Sequence, residues 1–453
     1  MPYEGPSTRC ARAPAFENRE LVRRPLDVLP VADGIGLPWD VPVDDAVAAV
    51  ATAREACGDS FVLRSGGNDY LFTFSPTGVE SFYALPEGAA SKGVADYLML
   101  RRKLPDEVFA GRRLLPSSLF RRDDVTSYLA NLDHALDATE DELGARGSVE
   151  LFALTRRLGH RMGLASWAGP GCADGESFER LVRAFDVLDG SDAFVHPDAM
   201  AAVAASKKTA ERTALDEVAN VIEAAVHQHD RQHYSEGTDD DGLFGRIAKA
   251  WAPEPTDIRN RGIAMDVALI HIASMSNLMA ALGWALVDLI EHPIEARRVA
   301  AGDAELAQRC ALESTRLAQR SIMARAVLEP VAFDTGAGVV DVPAGWTIAT
   351  LLPLLNTSAA PGLQTWDPNR WHRYRLADAS ALASPMLVTA FGHGRHSCPA
   401  QPFSLAAMTM AMTRLLGRYD MTPKWDEYPR PVPAQIGGVA RSANLCQVGY
   451  ARR

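Results

Sequence analysis

Cys398 stands out among the residues whose type and spacing could do chemistry. In FGHGRHSCPAQPFSLAAMTMAMTRLL (391–416) it follows a turn with Gly392 and Gly394 and precedes a strongly apolar run at helical spacing. A helix starting there brings free backbone N–H groups and the positive end of its dipole beside the sulfur, and both favour a thiolate. The glycines let the backbone approach a flat ligand closely. Phe391 can pack beneath a planar ring system, and Arg395 and His396 can pair with carboxylates on it. A lone cysteine is usually a buried, inert one. The spaced residues around Cys398 argue against that reading.

Two further groups carry polar chemistry. Glu313 and Arg316, in ALESTRLAQR, share one helical face, an arrangement common in ordinary surface ion pairs. The stretch VALIHIASMSNLMAALGWALV, between Asp266 and Asp288, has no charge and is long enough to span a membrane. His271, Ser274, Ser276 and Asn277 interrupt it at the middle, where lipid would penalise them. It reads as a long helix buried on all sides, whose central polar groups line an internal cavity.

The Cys398 segment resembles the haem-binding loop of the cytochrome P-450 family, F-x-x-G-x-(R/H)-x-C-x-G. Phe391, Gly394, His396 and Cys398 match, and Ala400 replaces the last glycine. The resemblance implies a mainly α fold with a small β portion. Haem b (iron protoporphyrin IX) would lie buried between the long central helix and the Cys398 helix, with Cys398 as the iron ligand. Phe391, Gly392, Gly394 and His396 would border the haem. Glu313 and Arg316 match the family's E-x-x-R, and TWDPNRW supplies Arg370 as third member of a buried network. Arg325, twelve residues after Glu313, falls where the family places an arginine on a propionate. EVFAGRRLLPSSLF resembles the helix with W-x-x-x-R. Arg112 matches the arginine and Val108 replaces the tryptophan, so one propionate hydrogen bond must be absent or come from elsewhere.

The resemblance implies a haem-thiolate monooxygenase that hydroxylates a small organic, biosynthetic substrate with O2. Electrons would come from a ferredoxin and ferredoxin reductase. The central helix departs from the family pattern A-G-x-(D/E)-T-T: Ser276 stands for the acid and Asn277 for the first threonine. An asparagine amide can donate a hydrogen bond but is a poor proton shuttle. Two readings follow. Sterol-7-hydroxylase-like members have Asn here and hydroxylate. The prostacyclin-synthase branch, similar in this helix and in Pro399 after the cysteine, isomerises peroxides without electrons, so the alternative is an electron-independent isomerase, dehydratase or bond-forming enzyme.

The whole chain sets the frame for these sites. It has 453 residues, 47% hydrophobic, with a formal charge of −11. That supports a large core and argues against general nucleic-acid binding. The six cysteines are dispersed, with no CxxC pair, so neither a zinc ribbon nor a disulfide scaffold is indicated. No apolar block follows the early prolines and charges, so we expect no signal peptide or membrane anchor, and a cytoplasmic location.

Residues 1–40 are expected to wrap the surface, and 41–453 to form one catalytic domain. VDDAVAAVATAREAC (43–57) reads as a helix, and residues 61–76 as a hairpin turning at Gly66-Gly67. From about Asp106 to Val331 nearly everything reads as helix, including AELAQRCALESTRLAQRSIMARAV as one unit, with short strands beyond. His229 and His233 offer a metal-binding face but read as a solvated helix end. The basic run RRKLPDEVFAGRR (101–113), with Arg121 and Arg122, is either a solvated face or a dock for an acidic ferredoxin. Substrate contacts are expected from residues 85–105, Trp167–Asp174, 189–197 and Ala326–Leu328.

Overall fold

The computed structural model describes residues 23–109, 121–190, 196–236 and 242–453. The first part is mixed: β1 (Arg23–Arg24), β2 (Val31–Ala32), α1 (Ala46–Cys57), β3 (Ser60–Ser65), β4 (Asn68–Thr73), α2 (Pro76–Ala84), β5 (Ala90–Ser91) and α3 (Lys92–Leu100). A helical body follows: α4 (Arg122–Leu143), β6 (Arg146–Glu150), α5 (Leu151–Trp167), α6 (Gly175–Leu188), α7 (Pro197–Ala205), α8 (Thr209–Glu236), α9 (Leu243–Trp251), α10 (Thr256–Glu291), α11 (Pro293–Ala300) and α12 (Ala304–Ala318). The last part holds β7 (Ile322–Val327), β8 (Val331–Asp334), β9 (Val339–Val342), β10 (Thr347–Leu351), α13 (Leu352–Ser358), β11 (Trp371–His372), β12 (Arg375–Leu376), α14 (Gln401–Arg418), β13 (Tyr419–Pro423) and β14 (Gln447–Arg452). The protein is mainly α with a smaller β part.

Local chemistry sets many of these boundaries. Asp45 caps α1, its Oδ1 accepting from the N–H groups of Val47 and Ala48 at 3.0 Å each. Asp303 caps α12 through Leu306 N–H. Gly66 and Gly67 both have positive φ, 55° and 77°, as the two-residue turn between β3 and β4 requires. The main sheet has the order β2-β3-β4-β10-β7-β5. Within it β10 is parallel to β4 and antiparallel to β7, so Ile348 faces Leu71 on one side and Arg325 on the other. That register fixes where Arg325 emerges.

Two apolar cores result. One lies among the helices and the other against the main sheet. At the centre of the first runs α10, with 36 residues. It is long and apolar enough to cross a membrane, yet 72% of its most apolar window is buried against protein. Its packing on α5 depends on glycines. A Cβ at Gly159 would lie 2.6 Å from Met279 Cγ, and one at Gly163 would lie 3.0 Å from His271 Cε1. One stripe of α10 escapes burial: Ala273 and Asn277 are exposed, and Leu269, Ile270, Ser274 and Ser276 are half-buried beside them.

On the α5 side His271 is fully enclosed. Trp167 Nε1 donates to His271 Nδ1 at 3.2 Å, so the His271 proton sits on Nε2, 2.8 Å from His160 Nδ1. Both rings are then neutral. Burial drives the His271 pKa well below its usual value, and the nearby Arg156 charge, with the repulsion that a second proton on His160 would add, acts in the same direction. Burial also lowers His160.

Several expectations are corrected. The surface segment through residue 40 does not hold from Arg23 onward: β1 pairs with β9, β2 with β3, and Leu37 and Trp39 enter the sheet-side core. Residues 146–150 form β6, which pairs with β14. The helix expected over 304–327 ends at Ala318. Gln319 bridges Val439, and both edges of β7 are claimed by β10 and β5, so sheet pairing overrides helix propensity there.

The neutral histidines predict a pH dependence. Their folded-state pKa values are depressed, so below about pH 6.5 the unfolded chain binds more protons and stability falls. Each imidazole contributes a loss of up to about 1.4 kcal/mol per pH unit. Chemical denaturation between pH 7 and 5.5 should show this loss, and His271→Gln should shrink it. An unchanged slope in that variant would contradict the assignment.

Candidate functional site

The Cys398 loop closes on itself. Cys398 N–H donates to Phe391 O at 2.7 Å, around a turn at Gly394–His396. Gly392 has φ 79°, and a Cβ there would sit 2.6 Å from the His396 carbonyl oxygen. Gly392 is thus needed for loop closure. Gly394 does border open space. Phe391 is half-buried and packs on the helical core.

Helix α14 starts three residues after Cys398. Burial raises the Cys398 thiol pKa, while the N–H groups of Ala400 and Gln401 and the Lys92 charge lower it. The net direction is up. The helix end does lower the thiol pKa as expected, but burial outweighs it in the protein alone. Pro399 contributes no N–H.

Behind the loop lies a charged network. Glu313 and Arg316 are both 0% exposed. Arg316 grips Glu313 through Nε (2.9 Å) and Nη2 (2.7 Å). Arg370 Nε (3.1 Å), Trp371 Nε1 (2.8 Å) and Asp367 N–H (3.1 Å) complete the donors around that carboxylate. The network then runs to the loop. Arg316 donates to Asn356 O, and Asn356 Nδ2 donates to Arg316 O and to Thr389 O. Thr389 N–H returns to Asn356 Oδ1 at 2.9 Å, and Thr389 Oγ1 accepts from Phe391 N–H at 3.1 Å.

Arg325 and His396 come together, with Arg325 Nη1 2.8 Å from His396 Nε2. Burial and the Arg325 charge lower the His396 pKa, so its neutral ring accepts from the guanidinium. Arg325 is fully buried and also donates to the carbonyls of Ala90 and Phe82 and to Glu87. Tyr83 packs edge-on to His393 and tilts toward His396. The Tyr83 hydroxyl and His393 Nε2 are buried without a hydrogen-bond partner. Buried polar atoms are seldom left so, and each unmet one costs about 1–3 kcal/mol. The unmet Tyr83 hydroxyl, the Arg325–His396 pair, Cys398 and the open stripe of α10 fit a planar group with carboxylates and a metal, as haem has.

On α10, Asn277 Oδ1 accepts from Val439 N–H at 2.8 Å. Gly438, with φ 65°, makes room: a Cβ there would lie 2.2 Å from Asn277 Oδ1. Because the amide oxygen is claimed, Nδ2 is left as a donor toward the exposed side. Gln319 joins this region to the loop, bridging Val439 and donating to Ala390 O at 3.2 Å. Ser276 Oγ donates to Asp189, which also pairs with Arg156 (2.8 Å) and Arg441 (2.9 Å).

The remaining expectations scatter. Arg112 lies outside the described residues, as do 191–195 of the expected substrate loop and the side chains of Arg122 and His233. Val108 is fully buried. Of the basic run, Arg102 pairs with Asp40 and Lys103 donates to Val187 O and Gly190 O, so both are structural. Trp167 is core, and Ala326 is a buried residue of β7; both are corrected as substrate contacts. Leu328 is exposed. His229 meets Asp230 and the Phe244 ring, and no cluster able to hold a metal is found among the described residues. Sequence reasoning missed Asn356, Thr389, Tyr83 and Arg441, and had Asp189 only as the first residue of the expected substrate loop 189–197. Trp371 lay inside the recognised TWDPNRW segment without a role assigned, and Thr389 lies two residues before Phe391.

No family model matches the chain. Two curated relatives do. The 24-hydroxycholesterol 7-alpha-hydroxylase of Homo sapiens is 26% identical over 209 residues, 41% of this chain and 43% of the relative. That of Mus musculus is 28% identical over 147 residues, 32% of this chain and 29% of the relative. The chain thus matches less than half the length of these relatives.

The buried network predicts unequal stability losses. Glu313→Ala leaves the buried Arg316 guanidinium, and the partly buried Arg370, without their carboxylate and should cost roughly 3–5 kcal/mol. Asn356→Ala should cost roughly 2–4 kcal/mol by orphaning two carbonyls and an N–H. Breaking the exposed Arg64–Asp69 pair should cost under about 1 kcal/mol. Urea denaturation of the three variants checks the order, and equal losses would contradict it.

Proposed function

We propose that the chain is a haem-thiolate monooxygenase of the cytochrome P-450 type that hydroxylates an apolar organic substrate. The carrying observation is the placement of Cys398, with two backbone N–H groups at its sulfur, in a loop shared with the Arg325–His396 pair. The similarity to hydroxylases supports the reaction class. The overall balance would be substrate C–H plus O2, two electrons and two protons, giving C–OH and water. Thiolate-ligated haem, when bound, supplies the oxidising chemistry.

The chain's own residues would divide the remaining work. Cys398 would be the iron ligand, and the Glu313–Asn356–Thr389 network would hold its loop in place. Arg325 and His396 would meet one propionate, and the Tyr83 hydroxyl would offer the hydrogen bond lost with Val108. Arg112 remains part of the proposed set. Leu269, Ile270 and Ala273 would give the substrate an apolar wall along α10. Asn277 would present its Nδ2 protons to the reacting oxygen, held in that orientation by Val439 N–H. Electrons would come from a ferredoxin and its reductase. With Arg102 and Lys103 engaged internally, exposed Arg121 and Arg395 are better placed to meet an acidic partner.

The electron-independent isomerase remains as a second reading, favoured by the Asn277 amide in place of an alcohol. Assays with and without reductant separate the two. We expect product only with both O2 and reductant. Asn277→Ala should lose product at least tenfold and release hydrogen peroxide, while Asn277→Thr should retain product. Turnover of wild-type protein without reductant or added peroxide would overturn the monooxygenase reading.

A further inference from the structure

The central helix carries no acid beside Asn277, but the fold brings one to it. We propose that Asp189, from the end of α6, supplies through Ser276 the protons that hydroxylation consumes. This rests on the monooxygenase reading above.

The carboxylate is divided between two tasks. Its Oδ1 accepts from Ser276 Oγ. Its Oδ2 is held by Arg156 Nη1 at 2.8 Å and Arg441 Nη2 at 2.9 Å. Asp189 is the C-cap residue of α6. A helix C-terminus disfavours a carboxylate, since the last carbonyls present their negative ends there. Two guanidiniums from separate elements, α5 and the chain before β14, compensate. They also fix the carboxylate on the α10 side, where its free edge meets the hydroxyl. Fastening the end of α6 would not require a contact with Ser276.

A route for protons adjoins this cluster. A cavity of about 250 Å³ is lined by Glu150, Ala153, Arg156, Ser276, Met279 and Arg441. At about 30 Å³ per water, it holds several. The Asp189 carboxylate would first take a proton from cavity water. Ser276 Oγ–H would then pass its own proton toward the oxygen site beside Asn277 and take that one from Asp189. No electron moves in these steps. Two passages supply the two protons, while the redox partner supplies the electrons. Asp189 acts only through Ser276, so it is a positioning and relay residue.

Asp189→Asn keeps the shape and an acceptor for Ser276 but removes the acid. It is compared with Ser276→Ala and with the exchange variant Asp189→Ser/Ser276→Asp, which moves the carboxylate onto α10. Three readouts are taken: product formed per electron consumed, the C–O stretching frequency of the ferrous-CO complex, and the melting temperature. We expect Asp189→Asn to lose product per electron about tenfold, with haem content and melting temperature close to wild type. The C–O stretch should shift in both single variants, and the exchange variant should recover much of both losses. A purely structural Asp189 would lower the melting temperature and gain nothing from the exchange, which would overturn the proposal. Wild-type coupling in Asp189→Asn would overturn the relay alone. Wild-type protein that turns over equally without reductant would overturn the monooxygenase reading, and the relay with it.

Discussion

A carboxylate with no solvent exposure, Glu313, is the constraint on which the rest of the structure depends. Buried unpaired it would be prohibitive, so every donor around it must be in place together. Arg316 comes from the same helix, Arg370 and Trp371 from the irregular chain beyond α13, and Asp367 N–H from the turn before them. Satisfying one charge therefore pins the stretch 367–371 to α12. Asn356 extends the constraint by spending its amide on Arg316 O, Thr389 O and Thr389 N–H. Thr389 then holds Phe391 at the head of the Cys398 loop. The loop's glycines provide the conformation, and the buried charge fixes its position.

The opposite wall is set by a different physics. Gly159 and Gly163 bring α5 against α10 closely enough to enclose His271, which is kept neutral by the absence of any solvent. That contact orients α10. With its α5 side buried, the stripe with Ala273 and Asn277 faces away. The polar residues in mid-helix thus separate into two roles: His271 is a satisfied core residue, while Ser276 and Asn277 reach the open side or the Asp189 cluster.

Much of this was legible in local sequence, and the reason is spacing. The Cys398 loop, the Glu313–Arg316 pair and the Gly66-Gly67 hairpin are each written within a few residues. Arg325 was expected from the family resemblance alone, by its spacing twelve residues past Glu313, although its strand was read as helix. What escaped depends on contacts across the chain. Asn356 lies 40 residues from Arg316 and 33 from Thr389. Asp189 lies 87 residues from Ser276. Neither has a local pattern to mark it. The strand at Ile322–Val327 was read as helix because its composition suits one, and pairing on both edges decides otherwise. The helix end lowers the Cys398 thiol pKa as expected, but burial outweighs it.

The central claim is that Cys398 is a thiolate ligand to haem iron. The most direct measurement is the absorption spectrum of the purified, haem-loaded protein, reduced and exposed to CO, beside that of Cys398→Ser. The account predicts the strongly red-shifted Soret band of a thiolate-ligated complex in the wild type and its loss in the variant. A wild-type band in the ordinary position of nitrogen-ligated haem, or a red-shifted band surviving in Cys398→Ser, would contradict it.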